Sequence, residues 1–118
     1  ARPAGDLTIV ELDGGGVVRS SDAASGRVAV VVHPWDVTVA LAAADDSALN
    51  HIGGLVGSVV PVANRVRVTI GALTAEITAD SKRRLGLAPG LRAFGSFKAT
   101  ATRLVPLPPF DAGSNGQL

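Results

Sequence analysis

The chain has 118 residues, with 11 Lys and Arg against 10 Asp and Glu and a formal charge of +1. That length fits one domain, and the near-balance of charge supplies no long-range field to draw a polyanion such as DNA. The absence of cysteine excludes disulfides, zinc ribbons and thiol catalysis, and fits a reducing compartment.

Apolar residues make up 47% of the chain, with three Phe, one Trp and no Met or Tyr. The expected core is therefore built from small and β-branched side chains rather than aromatic anchors. The sequence opens on Ala1, as an excised piece or a chain after methionine removal would, and Ala1 to Asp6 do not read as a signal peptide. No apolar run approaches the roughly 20 residues that cross a bilayer, so a soluble chain is expected.

In chain order, strand signals fall at Leu7 to Leu12, Val28 to Val32, Val37 to Leu41, Leu55 to Val62, Arg65 to Ile70, Leu73 to Thr78, and Ala93 to Val105 with a break. Turn formers separate them: Asp13-Gly14-Gly15-Gly16, Ser25-Gly26, His33-Pro34, Gly53-Gly54, Asn64 and Gly71-Ala72. Such short, regularly spaced blocks predict a sandwich or barrel. The clearest alternation is Arg65-Val66-Arg67-Val68-Thr69-Ile70, a half-buried antiparallel strand with Val66, Val68 and Ile70 on the core face.

One segment departs from this pattern. Asp80 to Leu87 combines a carboxylate cap candidate, Lys82, Arg83 and Arg84, and Gly86 at the position after the last turn, so it predicts a helix of about two turns. A short helix within a run of strands suits an OB-like barrel. The tail from Pro106 to Leu118 has too little apolar content to pack.

Catalytic constellations are absent from the pattern. His33 and His51 lack the i, i+4 or Cys-partnered spacing of a metal site, and His33, beside Pro34-Trp35-Asp36, is read as structural. The glycines at 14 to 16 lack the Lys-Ser/Thr that completes a phosphate loop and precede a strand, so they read as a turn. No Gly-x-Ser-x-Gly elbow supports a nucleophile.

Anion binding asks for less: hydroxyls and backbone N–H donors converging on one point, with a single cation. Three stretches could supply them. Ser47-Ala48-Leu49-Asn50 is a polar turn, or an ordinary loop. Thr78-Ala79-Asp80-Ser81 opens the short helix, or simply caps it. Lys98 interrupts an otherwise apolar strand, or snorkels from a sheet edge.

These residues resemble the molybdate-binding MOP or TOBE family, in the form that makes the C-terminal regulatory domain of ABC importer ATPases. Gly26 to Ala40, with His33-Pro34-Trp35-Asp36, resembles the Arg-Pro-Glu-Asp segment entering that domain. Ser47-Ala48-Leu49-Asn50 resembles its Ser-Ala-Arg-Asn turn. Ile77-Thr78-Ala79-Asp80-Ser81 with Leu85-Gly86-Leu87 and Gly90 resembles its Ile-Thr-x-x-Ser and Leu-Gly-Leu-x-x-Gly pattern, and Phe97-Lys98-Ala99-Thr100 its Ile/Val-Lys-Ala-Ser/Thr ending. One departure stands out: Leu49 occupies the place where the family often has Arg.

The resemblance implies an all-β, OB-like (MOP/TOBE) barrel with one short helix over residues 26–105, preceded by a segment 1–25 with one strand and followed by a loose tail, 106–118. It implies a regulatory domain that is not itself an enzyme and binds an oxyanion: molybdate or tungstate, with sulfate as a third candidate. Ser47, Ala48, Leu49 and Asn50 would contact it, with Thr78 and Ser81 as further donors and Lys98, with Ala99 and Thr100, at the compensating charge. Sites would form where two domains meet. A homodimer would therefore be the working unit, alongside an ATPase domain and a membrane permease, at the cytoplasmic face of the membrane, with no nucleic acid and no membrane insertion. The alternative is a purely structural dimerisation domain whose site has lost its ligand. A single-strand nucleic-acid binder is disfavoured by 3% aromatic content and near-neutral charge.

Overall fold

The computed structural model describes residues 1–13, 15–42 and 50–108. Three short strands open the chain: β1 (Arg2–Ala4), β2 (Leu7–Glu11) and β3 (Val17–Ser20), hydrogen-bonded in that order as an antiparallel meander. Strand β4 (Val28–Val31) leads through a 3-10 turn at Pro34–Asp36 to β5 (Thr38–Ala40). Then follow β6 (Asn50–Val62), β7 (Arg65–Ile70), β8 (Leu73–Thr78), helix α1 (Ala79–Leu85), β9 (Arg92–Phe97), a second 3-10 turn (Ala99–Ala101) and β10 (Arg103–Pro106).

The main sheet has the order β5-β9-β6-β7-β8, while β10 returns to pair with β4 in a two-stranded ribbon. The architecture is all-β and OB-like, with one α-helix. Among the described residues its three sheets are not joined by one continuous ladder.

Strand β6 organises the main sheet. Its first half pairs with β9, from Asn50 opposite Phe97 to Leu55 opposite Arg92. Its second half pairs with β7, from Val56 opposite Ile70 to Val62 opposite Arg65, and the register shifts between Val56 and Ser58. The extra residue there is Gly57, and a bulge of this kind bends a strand and sharpens its twist. Thr69 braces the bend, its Oγ1 accepting the Ser58 N–H at 2.9 Å.

The alternation in β7 is realised: Val66, Val68 and Ile70 are buried with Val56, Ala75, Ala93 and Phe97, while Arg65 and Arg67 face solvent. Burying each such Val or Ile contributes about 1.5–3 kcal/mol. On the exposed side Arg67 pairs with Glu76 of β8 at 2.9 Å.

Several expectations are corrected. Gly53-Gly54, read as a turn, lies inside β6. A Cβ at Gly53 would sit 2.5 Å from Phe94 Cε2 on β9, so this glycine serves close cross-strand packing rather than chain reversal. The N-terminal segment holds three strands instead of one. β1 is exposed throughout and carries no alternation, while β3 buries Ser20 as well as Val18, which hides its period in a hydropathy reading. The helix is capped by Thr78, not by Asp80: Thr78 Oγ1 accepts the Ser81 N–H at 3.0 Å. Its far end closes on Gly86 in the left-handed conformation, φ 65°, as its position in the sequence predicts. Pro106, assigned to the tail, belongs to β10 opposite Val28; residues 109–118 lie outside the described part.

Candidate functional site

Of the residues implied as oxyanion contacts, Ser47, Ala48 and Leu49 lie outside the described residues. The others fall into two groups.

The first group gathers where β6 begins and β9 ends. Asn50 opposes Phe97, which brings Asn50 beside the corner formed by Lys98, Ala99 and Thr100. Lys98 is not inside a strand as expected. It is the exposed residue that precedes the Ala99–Ala101 turn, and its side chain makes no ion pair or hydrogen bond among the described residues. Chain reversal at this corner is held by backbone acceptors: the Lys98 carbonyl takes the Ala101 N–H at 3.0 Å and the Thr102 hydroxyl at 2.8 Å, and the Ala99 carbonyl takes the Ser21 N–H at 3.1 Å. The carbonyls are thereby occupied, and the ammonium and the exposed Thr100 are left facing solvent.

Asn50 has a different environment. Its side chain is fully buried, and its amide pairs with the backbone of Arg19 as a neighbouring strand would. Oδ1 accepts the Arg19 N–H at 2.7 Å and Nδ2 donates to the Arg19 carbonyl at 2.8 Å, with a further contact to Thr102 Oγ1 at 3.3 Å. This amide joins the main sheet to β3. Around it, Ser20 Oγ donates to the Thr102 carbonyl, and Asp22 binds both Arg103 Nη1 (3.1 Å) and the Leu104 N–H (3.0 Å). The buried polar atoms of this seam are all satisfied, as a low-dielectric interior requires.

The second group sits where β8 runs into α1. The Thr78 hydroxyl donates to Ser81 Oγ at 3.0 Å, and Arg84 Nη2 donates to the same oxygen at 3.2 Å. Ser81 Oγ therefore accepts twice, which leaves its own proton to give outward.

The two groups stand at opposite ends of β6. Asn50 begins the strand beside Lys98, whereas Val62 ends it opposite Arg65, which in turn opposes Thr78. The 13 residues of β6 span a contour of about 40 Å at ~3.3 Å per step. Within one copy Lys98 and Thr78 therefore lie at opposite ends of this strand.

The two histidines make other contacts among the described residues. His33 stacks on Trp35, with ring centroids 4.5 Å apart and planes 6° off parallel. His51 Nδ1 meets Ser96 Oγ at 2.8 Å across the β6–β9 pair. No group of three or more His, Cys, Asp or Glu among the described residues is placed to hold a metal, and no described helix is long and apolar enough to cross a membrane.

Residues 46–104 match the family model of the TOBE domain. The Molybdenum import ATP-binding proteins ModC of Bordetella parapertussis and Bordetella bronchiseptica are each 35% identical over 106 residues, covering 80% of this chain and 29% of theirs; the chain thus spans under a third of these relatives' length. A solved structure of the cytoplasmic molybdate-binding protein ModG, in a crystal form with molybdate bound, superposes with a TM-score of 0.75 at 25% identity, over 85% of this chain and 84% of that one. The match to the TOBE model takes in half of the sequence, from the segment before β6 to the middle of β10, and the chain belongs to the TOBE domain family.

Proposed function

We propose that this domain binds a tetrahedral oxyanion, molybdate or tungstate ahead of sulfate, at sites shared between two copies. It is a sensor rather than a catalyst: as the regulatory module of an import ATPase, anion accumulating in the cytoplasm would bias the arrangement of the paired subunits and slow transport. The observation that carries this reading is the division of the donor set. The Lys98 corner holds a cation that is uncommitted among the described residues, and the Thr78–Ser81 turn, at the other end of β6, holds the free Ser81 hydroxyl proton. A second copy can bring the Thr78 end of one molecule to the Lys98 end of the other. A cage of neutral donors with one ammonium recognises a dianion by size and fixed hydrogen bonds. The molybdate-bound relative, and the import ATPases of which this domain resembles a part, support the choice of ligand and setting.

Domain limits of 26–105, the homodimer, the permease and ATPase partners, and a location at the cytoplasmic face of the membrane belong to the same proposal. So do the roles of Ser47, Ala48 and Leu49. Asn50 enters through its backbone only, since its side-chain amide is spent on Arg19. A second reading is favoured by Leu49: with no arginine at that position, a desolvated dianion faces fewer cations, and the domain would then serve dimerisation alone.

Calorimetry with molybdate, tungstate and sulfate separates the two. Saturable binding that weakens about tenfold or more in Lys98→Ala, the loss of one charge-assisted contact, supports the sensor. A dimer by light scattering that gives no heat with any of the three anions leaves the structural role.

A further inference from the structure

Between α1 and the tip of the β6–β7 hairpin lies an open groove of about 340 Å³. Apolar Val59, Pro61, Ala63, Val66 and Ala79 line it together with Asn64 and the cations Arg65, Lys82 and Arg83. No carboxylate lines it. Arg65 and Lys82 make no ion pair or side-chain hydrogen bond among the described residues, and Arg83 has only a loose, exposed contact to Asp80 at 3.4 Å. Three cations gathered around an apolar trough give it a positive potential that favours an anionic occupant.

The hairpin is also unfinished on one side. Beyond Leu55, β6 has β7 on one edge and no strand on the other among the described residues, and Pro61 falls within this open edge. Proline cannot donate to a ladder and guards such an edge against strand addition. An occupant is therefore selected by its side chains and charge rather than by extending the sheet.

We propose that this groove docks an acidic peptide segment of a partner protein, with an apolar side chain seated on Val59, Pro61 and Val66 and flanking carboxylates on Arg65, Lys82 and Arg83. Concavity favours a peptide over a membrane surface, which is met by apolar side chains protruding from a convex face. The absence of aromatic residues from its lining gives a nucleobase nothing to stack on. The groove adjoins the Thr78–Ser81 turn, since Arg65 opposes Thr78 and Lys82 follows Ser81, but it is lined by other side chains, and peptide binding is read apart from anion binding.

The probe is a short fluorescein-labelled peptide alternating Leu with Glu, compared with one in which Ser replaces each Leu. Fluorescence anisotropy should show saturable binding of the Leu–Glu peptide to the wild-type domain, weakened by salt and at least about tenfold weaker to the double variant Arg65→Glu, Lys82→Glu. The Leu-to-Ser peptide should bind markedly less. Circular dichroism and thermal unfolding of the double variant report whether its fold is intact. Equal binding of the two peptides, equal binding to wild type and variant, or no saturation at about millimolar peptide overturns the proposal. So does loss in the variant of a concentration-dependent dimer, which assigns the groove to a second copy, or of binding to phosphatidylserine vesicles without peptide binding, which assigns it to lipid.

Discussion

Asn50 shows how much of this fold rests on single side chains. A carboxamide has the donor and acceptor spacing of a peptide group, so it can close the gap between β6 and β3 with two hydrogen bonds in the manner of a strand pair. Asn50→Ala leaves the Arg19 N–H and carbonyl without their partner at a buried seam, and should cost about 2–4 kcal/mol in urea unfolding with an unchanged m-value. A loss under about 0.5 kcal/mol, the size of a surface substitution, would show that water replaces the amide. Ala63 makes the opposite case. It sits in the hairpin turn before Asn64 with φ 54°, the one described non-glycine residue in the left-handed region. Ala63→Gly should raise stability by up to about 1 kcal/mol, or ~4–8 °C in Tm; a lower Tm would mean that this turn carries no strain. Neither role was legible in the sequence. Asn50 lies 31 positions from Arg19, and at the end of Ser47-Ala48-Leu49-Asn50 it read as part of an anion-binding turn. Lys98 stood out for a sound reason, a charge in an apolar stretch, but the chain turns there instead of continuing as a strand.

Among the elements, helix α1 and strand β9 were readable to different depths. The seven residues of α1 are too few to be stable alone, and the element persists through its cap, its left-handed Gly86 and its attachment to β8. Thr78→Ala should cost about 1 kcal/mol through loss of the cap, while Thr78→Ser should retain most of it; equal stability of the two variants by thermal unfolding would argue against the cap. These local signals were all present in Thr78-Ala79-Asp80-Ser81 and Leu85-Gly86-Leu87, and only the choice of Thr78 over Asp80 required the geometry. In β9 the strand itself was foreseen but its glycine was not understood. Gly95 is buried, and a Cβ there would overlap Leu73 of β8 and lie 3.1 Å from Val37 Cγ1. Gly95→Ala therefore forces the Leu73 side chain to move, and should destabilise by about 1–3 kcal/mol, measured as a shift in denaturation midpoint. Pairing of β5 through β9 rather than directly with β6 is what brings Val37 to that point.

For the whole molecule, the separation of the Lys98 corner from the Thr78 turn makes a prediction about stoichiometry. If each site takes Lys98 from one copy and Thr78 with Ser81 from another, Lys98→Ala and the double variant Thr78→Ala, Ser81→Ala should each, alone, bind molybdate at least about tenfold more weakly than the wild type. Mixed in equal amounts and allowed to exchange subunits, they should recover about a quarter of the wild-type sites, since half of the dimers are then mixed and each mixed dimer keeps one intact site of two. Calorimetry of the mixture reads this directly, and a mixture with no sites of wild-type affinity would place a complete site within one copy. What the sequence by itself determined was the strand-rich class, the inward face of Arg65 to Ile70, the turn at Gly71, the short helix and its closing Gly86. All of these follow from period, propensity and turn chemistry acting over a few neighbouring residues. Only the tertiary structure decided that Asn50 bolts two sheets together, that Gly53 lies beneath Phe94 inside a long strand, and that Lys98 and the Thr78–Ser81 turn stand at opposite ends of β6. These depend on which distant segments meet when the sheets pack, and no local pattern encodes that meeting.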